Sequence, residues 1–139
     1  MWLFFAILSA ITAALVAIFA KIGLQAIDPT LATTIRSIIM AVFLIIISFS
    51  LKKFQNFNLF VFNSKEWLMI VLAGIAGALS WLFYFFAIKA GKVSAVAAID
   101  RLSIVFVVIL AALFLNEALK STTIIGAILV VIGAILISI

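Results

Sequence analysis

Residues 93–116 read VSAVAAIDRLSIVFVVILAALFLN. A helix needs roughly 20 apolar residues to cross the hydrocarbon core of a bilayer, and this run supplies them. Within it stand Asp100 and Arg101, charges that lipid tolerates only where protein or water receives them. The rest of the chain repeats the theme. Of its 139 residues, 70% are hydrophobic and 9% charged, where a soluble domain is about half apolar and about a quarter charged. A water-soluble fold of this size buries only about two-thirds of its surface. The composition therefore specifies an all-α protein integral to a lipid bilayer. Continuous apolar runs, rather than alternating ones, exclude a barrel.

Five stretches are long enough to span: 2–26, 29–51, 66–90, 93–116 and 121–139, read together as a single domain over 1–139. Asp28-Pro29 supplies an N-cap followed by proline at the first helical position. Asn63 and Glu66 have the spacing of a capping box, and Ser121 and Thr122 are expected to cap the fifth span. Gly91, between Lys89 and Lys92, marks a tight hairpin that makes the third and fourth spans antiparallel neighbours. The first span reads as retained, since it is too long for a cleaved leader and lacks a basic start. The loop KKFQNFNLFVFNSK (52–65) interleaves Phe54, Phe57, Phe60 and Phe62 with amides and lysines, which suits the headgroup region. Trp2 and Trp67 fall where interfacial anchors sit.

Several chemistries are excluded. Without Cys or His there is no disulfide framework, zinc site or thiol or imidazole catalysis, and four acidic residues leave little for a two-carboxylate hydrolase. No metal site, cofactor or enzymatic activity is expected. The net charge of +5 is scattered rather than clustered on one face, which argues against nucleic acid.

Lys52, Lys53, Lys65 and Lys120 would flank one membrane side, and Lys21, Lys89 and Lys92 the other, with Arg36 and Arg101 deeper. Because Lys/Arg bias orients membrane proteins, this balance predicts either insertion in both orientations or orientation by a partner. An odd number of spans makes a second copy run upside down, so an antiparallel homodimer would reproduce the inverted-repeat architecture of many transporters.

Arg36 and Asp100 each lie about two helical turns, or ~10 Å, inside the same side, and Tyr84 reaches that depth from the third span. Thr33, Arg36 and Met40 share a helical face; so do Gly77, Trp81, Tyr84 and Ile88, and Ala97, Asp100, Ser103 and Val107. Ser9 and Thr12 form a polar stripe on the first span, with Lys21 near its end. The expected substrate pathway is Arg36, Trp81, Tyr84, Asp100, Arg101 and Ser103, with Lys21 and Thr33 secondary. Two roles stay open for the charges: Asp100 neutralises Arg36 or Arg101 and staples helices, or the group contacts substrate or a coupling ion. Arg101 can also snorkel. Ala73/Gly77, Gly74/Ala78 and Gly126/Gly133 form small-residue seams suited to close helix approach. Glu117, close to Lys120, reads as a cap or surface pair.

The ordered set of motifs resembles the EamA-like half of the drug/metabolite transporter superfamily, in its short bacterial and archaeal branch with a single five-span unit. The residues carrying the resemblance begin with Lys21-Ile22-Gly23-Leu24, Asp28-Pro29 and Arg36, then Glu66-Trp67 and Tyr84-Phe85-Phe86-Ala87-Ile88-Lys89. Ser94-Ala95, Asp100-Arg101-Leu102-Ser103, Leu115-Asn116-Glu117, Gly126 and Gly133 complete it. That family commonly has Gly where Asn116 stands, which implies a different local turn here. The resemblance implies a multi-pass carrier of the cell (inner) membrane that moves small polar metabolites or drugs by alternating access. The competing reading is a non-transporting subunit of a larger membrane complex. A four-span multidrug pump is disfavoured because the first span lacks a carboxylate.

Overall fold

A computed structural model describes residues 1–55 and 63–139. Its elements are all helical among the described residues: α1 (Trp2–Gly23), α2 (Pro29–Ser50), α3 (Ser64–Ala90), α4 (Val93–Asp100), α5 (Ser103–Phe114) and α6 (Ser121–Ser138). Five segments are long and apolar enough to cross a membrane, with α4 and α5 forming one of them, Val93–Phe114. Large apolar side chains remain exposed along these helices, among them Phe43 at 61% and Phe106 at 65%. Helices whose solvent is lipid have no reason to bury them.

The chain divides into two compact units, one of Met1–Ile22 with Ala90–Ile139 and one of Gly23–Lys89. In the first, α4 and α5 pack along α6, and Ala98 and Ala134 are buried with Ala17 and Ala20. Methyl-sized side chains permit such close approach. Within the chain the expected glycine seams meet no neighbour among the described residues: a methyl group added at Gly74, Gly77, Gly126 or Gly133 would find no heavy atom within 4 Å. Lys21 donates to the Gly91 carbonyl at 2.8 Å. In the second unit Lys89 donates to the Ile27 carbonyl at 3.0 Å.

The start of α2 follows the sequence reading. Asp28 caps it, its carboxylate accepting from the N–H groups of Thr30 at 2.9 Å and Leu31 at 3.2 Å, with Pro29 opening the helix. The Leu31 N–H above all, then Thr30 and the charge of Lys89, hold the Asp28 carboxyl below its ordinary range against opposing desolvation. A depressed folded pKa stabilises above the unfolded carboxylate value of about 3.9 and loses that contribution as pH falls through the lower folded value. Asp28→Ala should therefore lower the melting temperature in detergent at neutral pH, and Asp28→Asn should recover most of it because Asn also caps. Both should flatten the acid limb of a melting-temperature profile below about pH 4. Unchanged melting in Asp28→Ala would show that the cap contributes nothing.

Two helix ends depend on left-handed backbone at residues other than glycine. Lys52 (φ 55°) follows α2, with its N–H on the Phe49 carbonyl and the Lys53 N–H on the Ser48 carbonyl, both at 3.0 Å. That pair of bonds is a Schellman motif, normally completed by Gly. Asn116 (φ 54°) ends α5, and the Glu117 N–H turns back to the Ala111 carbonyl at 3.3 Å. Asn tolerates this conformation where Lys does not, so Asn116 takes a backbone conformation that Gly also favours. Lys52→Gly should stabilise the protein by about 1 kcal/mol and Asn116→Gly by much less. Chemical melts of the two variants check the order; equal gains would contradict it.

Other caps differ in part. The Asn63 N–H donates to Glu66 Oε2 at 3.0 Å, as a capping box requires. Ser121 and Thr122 do not cap α6: Lys120 occupies that position, without a side-chain bond, and Ser121 is already helical. Gly91 bends between α3 and α4 without the left-handed backbone such a glycine often supplies. Phe54 packs its ring on Phe49, centroids 4.9 Å apart; Phe57, Phe60 and Phe62 lie outside the described residues.

Candidate functional site

A hydroxyl-bearing face of α2 begins just after the Asp28 cap. Thr30, Thr33, Thr34 and Ser37 recur at helical spacing on it. Such hydroxyls are stable in an apolar helix because each can donate to the carbonyl one turn back. Thr33 does so to Pro29 at 2.7 Å, Thr34 to Thr30 at 2.9 Å and Ser37 to Thr33 at 2.8 Å. Thr33 is buried. These hydroxyls, with Ile38 and Ala41, face Ala78, Leu79 and Leu82 of α3 across a groove of about 460 Å³.

Arg36 reaches α3. Its guanidinium carbon lies 3.7 Å from the centroid of the Trp81 ring and 5.6 Å from that of Phe85. A part-buried cation over an aromatic face in this way gains about 1–2 kcal/mol. The rings brace one another: Trp81 meets Tyr84 edge-on at 5.6 Å and Phe85 edge-on at 6.0 Å. Phe85 is 4% exposed and Ile88, the next apolar residue on that side, fully buried. Aromatic rings satisfy the charge of a guanidinium without accepting its N–H groups as an oxygen would.

Of the expected site residues, Arg36, Trp81 and Tyr84 are thus brought together in one unit, with Thr33 in the adjoining groove. Lys21 is engaged by the Gly91 carbonyl. Phe85 was not among the expected residues, although it stands at i, i+4 from Trp81; nor were Thr30, Thr34 and Ser37, although they continue the Thr33 stripe.

Asp100, Arg101 and Ser103 stand where the fourth span is interrupted. The expected continuous helix over 93–116 gives way to successive bonds one residue tighter. Arg101 N–H meets Ala98 O at 3.2 Å and Leu102 N–H meets Ile99 O at 2.9 Å; Ile104 and Val105 bond to Arg101 at 3.1 Å and Leu102 at 2.9 Å. This is a 3₁₀ turn, in which side chains three apart eclipse. Asp and Ser, whose short polar side chains compete for backbone hydrogen bonds, weaken the helix at this point. Asp100 and Arg101 are both exposed. A tightened turn carrying a carboxylate within an apolar span is the kind of irregularity that membrane proteins place beside water or ligand.

No cluster of His, Cys, Asp or Glu suited to a metal ion occurs among the described residues. The Gly23–Lys89 unit offers instead a guanidinium over aromatic rings and a row of hydroxyls, and the other unit separately offers the exposed carboxylate of Asp100. A Sinorhizobium sp. protein named "Uncharacterized transporter in cobO 3'region" is 38% identical over 138 residues, 99% of this chain and 96% of its own length. No solved structure matches. The EamA-like transporter family matches residues 1–139, and with five apolar spans in the same chain, the protein belongs to that family of multi-pass membrane transporters.

Proposed function

We propose that the chain is a secondary transporter that carries small polar metabolites or drugs across the cell membrane by alternating access, as an antiparallel homodimer. The five spans act as one domain, and two oppositely inserted copies rock around a central polar chamber. The observation that carries this reading is Arg36, a charge within a membrane span whose described partners are aromatic faces. Intramembrane charges are rare and mark substrate or ion pathways. Arg36 and Arg101 attract an anionic group, Asp100 balances them or reads an amine, and Trp81 and Tyr84 contact the solute. The balanced lysines flanking the spans support insertion in both directions.

Purified protein in liposomes, given labelled amino acids, sugars, nucleotide derivatives and cationic dyes with and without a pH gradient, should accumulate at least one class above empty liposomes. C-terminal topology reporters in cells should appear on both sides of the membrane. Protein that moves nothing and co-purifies with one larger membrane complex would replace the carrier with the subunit reading. A single orientation in the absence of partners would remove the antiparallel dimer.

A further inference from the structure

At the end of the fourth span the chain doubles back. Asn116 takes left-handed backbone, the Glu117 N–H returns to the Ala111 carbonyl at 3.3 Å, and the chain enters α6 through Lys120. Beside this turn α5 and α6 enclose a slot of about 210 Å³. Val105 and Ile109, at i and i+4, line it from α5. Ile124, Ile128 and Val131, at i, i+4 and i+7, line it from α6, and Leu119 from the turn. Every lining residue is aliphatic. Such a slot offers a polar solute no hydrogen bond and holds no water. A helix segment about 10 Å long and about 10 Å across would need roughly four times that volume, so no helix of a second copy enters it.

The position of the slot says what does. Ile124 lies about 4.5 Å and Val131 about 15 Å along α6 from Ser121, and one leaflet of the hydrocarbon core is about 15 Å deep. The slot thus runs from the headgroup boundary towards the bilayer centre, the course of an acyl chain. Two charges stand at its outer end. Lys120 follows Leu119 directly and Glu117 precedes it by two residues, within about 7 Å along the chain. Both are exposed, and neither side chain has a hydrogen bond or ion pair with a described residue.

We propose that this slot binds one acyl chain of a phospholipid with a primary ammonium headgroup, phosphatidylethanolamine in chemistry. Lys120 donates to the phosphate, the lipid ammonium donates to the Glu117 carboxylate, and the acyl chain fills the space between α5 and α6. The charges match one for one. A glycerol headgroup brings no cation to balance Glu117, and a quaternary choline has no N–H for the carboxylate. The site lies within the unit of Met1–Ile22 and Ala90–Ile139 and does not depend on what the protein transports.

Delipidated protein in detergent is titrated with dioleoyl phosphatidylethanolamine, phosphatidylcholine or phosphatidylglycerol and read by native mass spectrometry. One ethanolamine lipid should be retained about tenfold more tightly than either of the others, the worth of a charged hydrogen bond. Glu117→Gln should bring it down to the choline level and leave choline affinity unchanged, whereas Lys120→Met should weaken both by a similar factor. Glycerophosphoethanolamine, the headgroup without acyl chains, should not bind measurably. Ala127→Phe, which fills the slot from α6, should remove the tight lipid while the helical circular dichroism stays unchanged; if that variant unfolds, the exposed Glu117→Gln decides. Equal retention of the three lipids, or an ethanolamine preference that survives Glu117→Gln, would overturn the site. So would an Ala127→Phe protein that keeps its lipid and loses a dimer, because the slot would then receive a side chain of a second copy.

Discussion

Replacing Arg36 by glutamine should reduce flux in proteoliposomes by roughly ten- to a hundredfold while the protein still elutes as a single species in detergent. The magnitude follows from what is removed. A hydrogen bond to a charged group contributes about 1.5–3 kcal/mol, and about 1.4 kcal/mol is a factor of ten. Folding should change less, because Trp81 loses a stacked cation but keeps Tyr84 and Phe85 at its edges. Arg36→Lys should fall between, since an ammonium neither stacks flat nor offers a fork. The comparison that matters is flux against stability. A variant that melts much earlier and transports normally when folded would make Arg36 a staple between α2 and α3 rather than a contact for the solute.

The second large effect is expected at Asp100. Asp100→Asn preserves shape and removes only the charge, at an exposed position in the tightened turn between α4 and α5. Flux should fall about tenfold or more, on the same charged-bond scale, with helical content unchanged by circular dichroism. A purely structural carboxylate would give the reverse: loss of melting temperature with transport per folded molecule intact. Leu102 offers a control in the same turn, because Leu102→Ala alters its bulk and not its charge and should leave the substrate profile as it was.

Most of the helical architecture was legible because it follows from apolar runs and strong punctuation. Asp28-Pro29 and the Asn63–Glu66 spacing have mechanisms that act within one turn, so local sequence suffices. The interruption at Asp100–Leu102 was not legible, since neither proline nor glycine marks it and Asp100 and Ser103 only weaken a helix whose flanks are long apolar runs. Lys52 gave no turn signal either, because lysine has no preference for left-handed backbone; Asn116 did, being the residue that tolerates it after glycine. The small-residue stripes suited either packing within the chain or a contact with a second copy, and spacing did not choose between them. Glycine spacing permits close approach but cannot say which face a neighbour will use, and here Ala98 and Ala134 are buried while Gly126 and Gly133 meet nothing.

The site was legible in part for a similar reason. Arg36 and Trp81 stood out as unusual residues in lipid, and Arg36 and Trp81 meet. Phe85 was hidden among many phenylalanines, and its role depends on the reach of the Arg36 side chain, which no periodicity encodes. The hydroxyl stripe from Thr30 to Ser37 was visible in spacing. That its protons are spent on backbone carbonyls required bond directions.

A wet chamber beside Arg36 is the condition on which all of this depends, and cysteine accessibility measures it directly. The chain contains no cysteine, so Ser37→Cys and Ile39→Cys each place a single thiol on α2, the second at a position 63% exposed as lipid-facing residues are. In sealed vesicles, a membrane-impermeant thiol reagent should modify Ser37→Cys and spare Ile39→Cys. Equal protection of both thiols from the reagent would mean that the hydroxyl stripe faces lipid, and the transport site proposed on α2 and α3 would be contradicted.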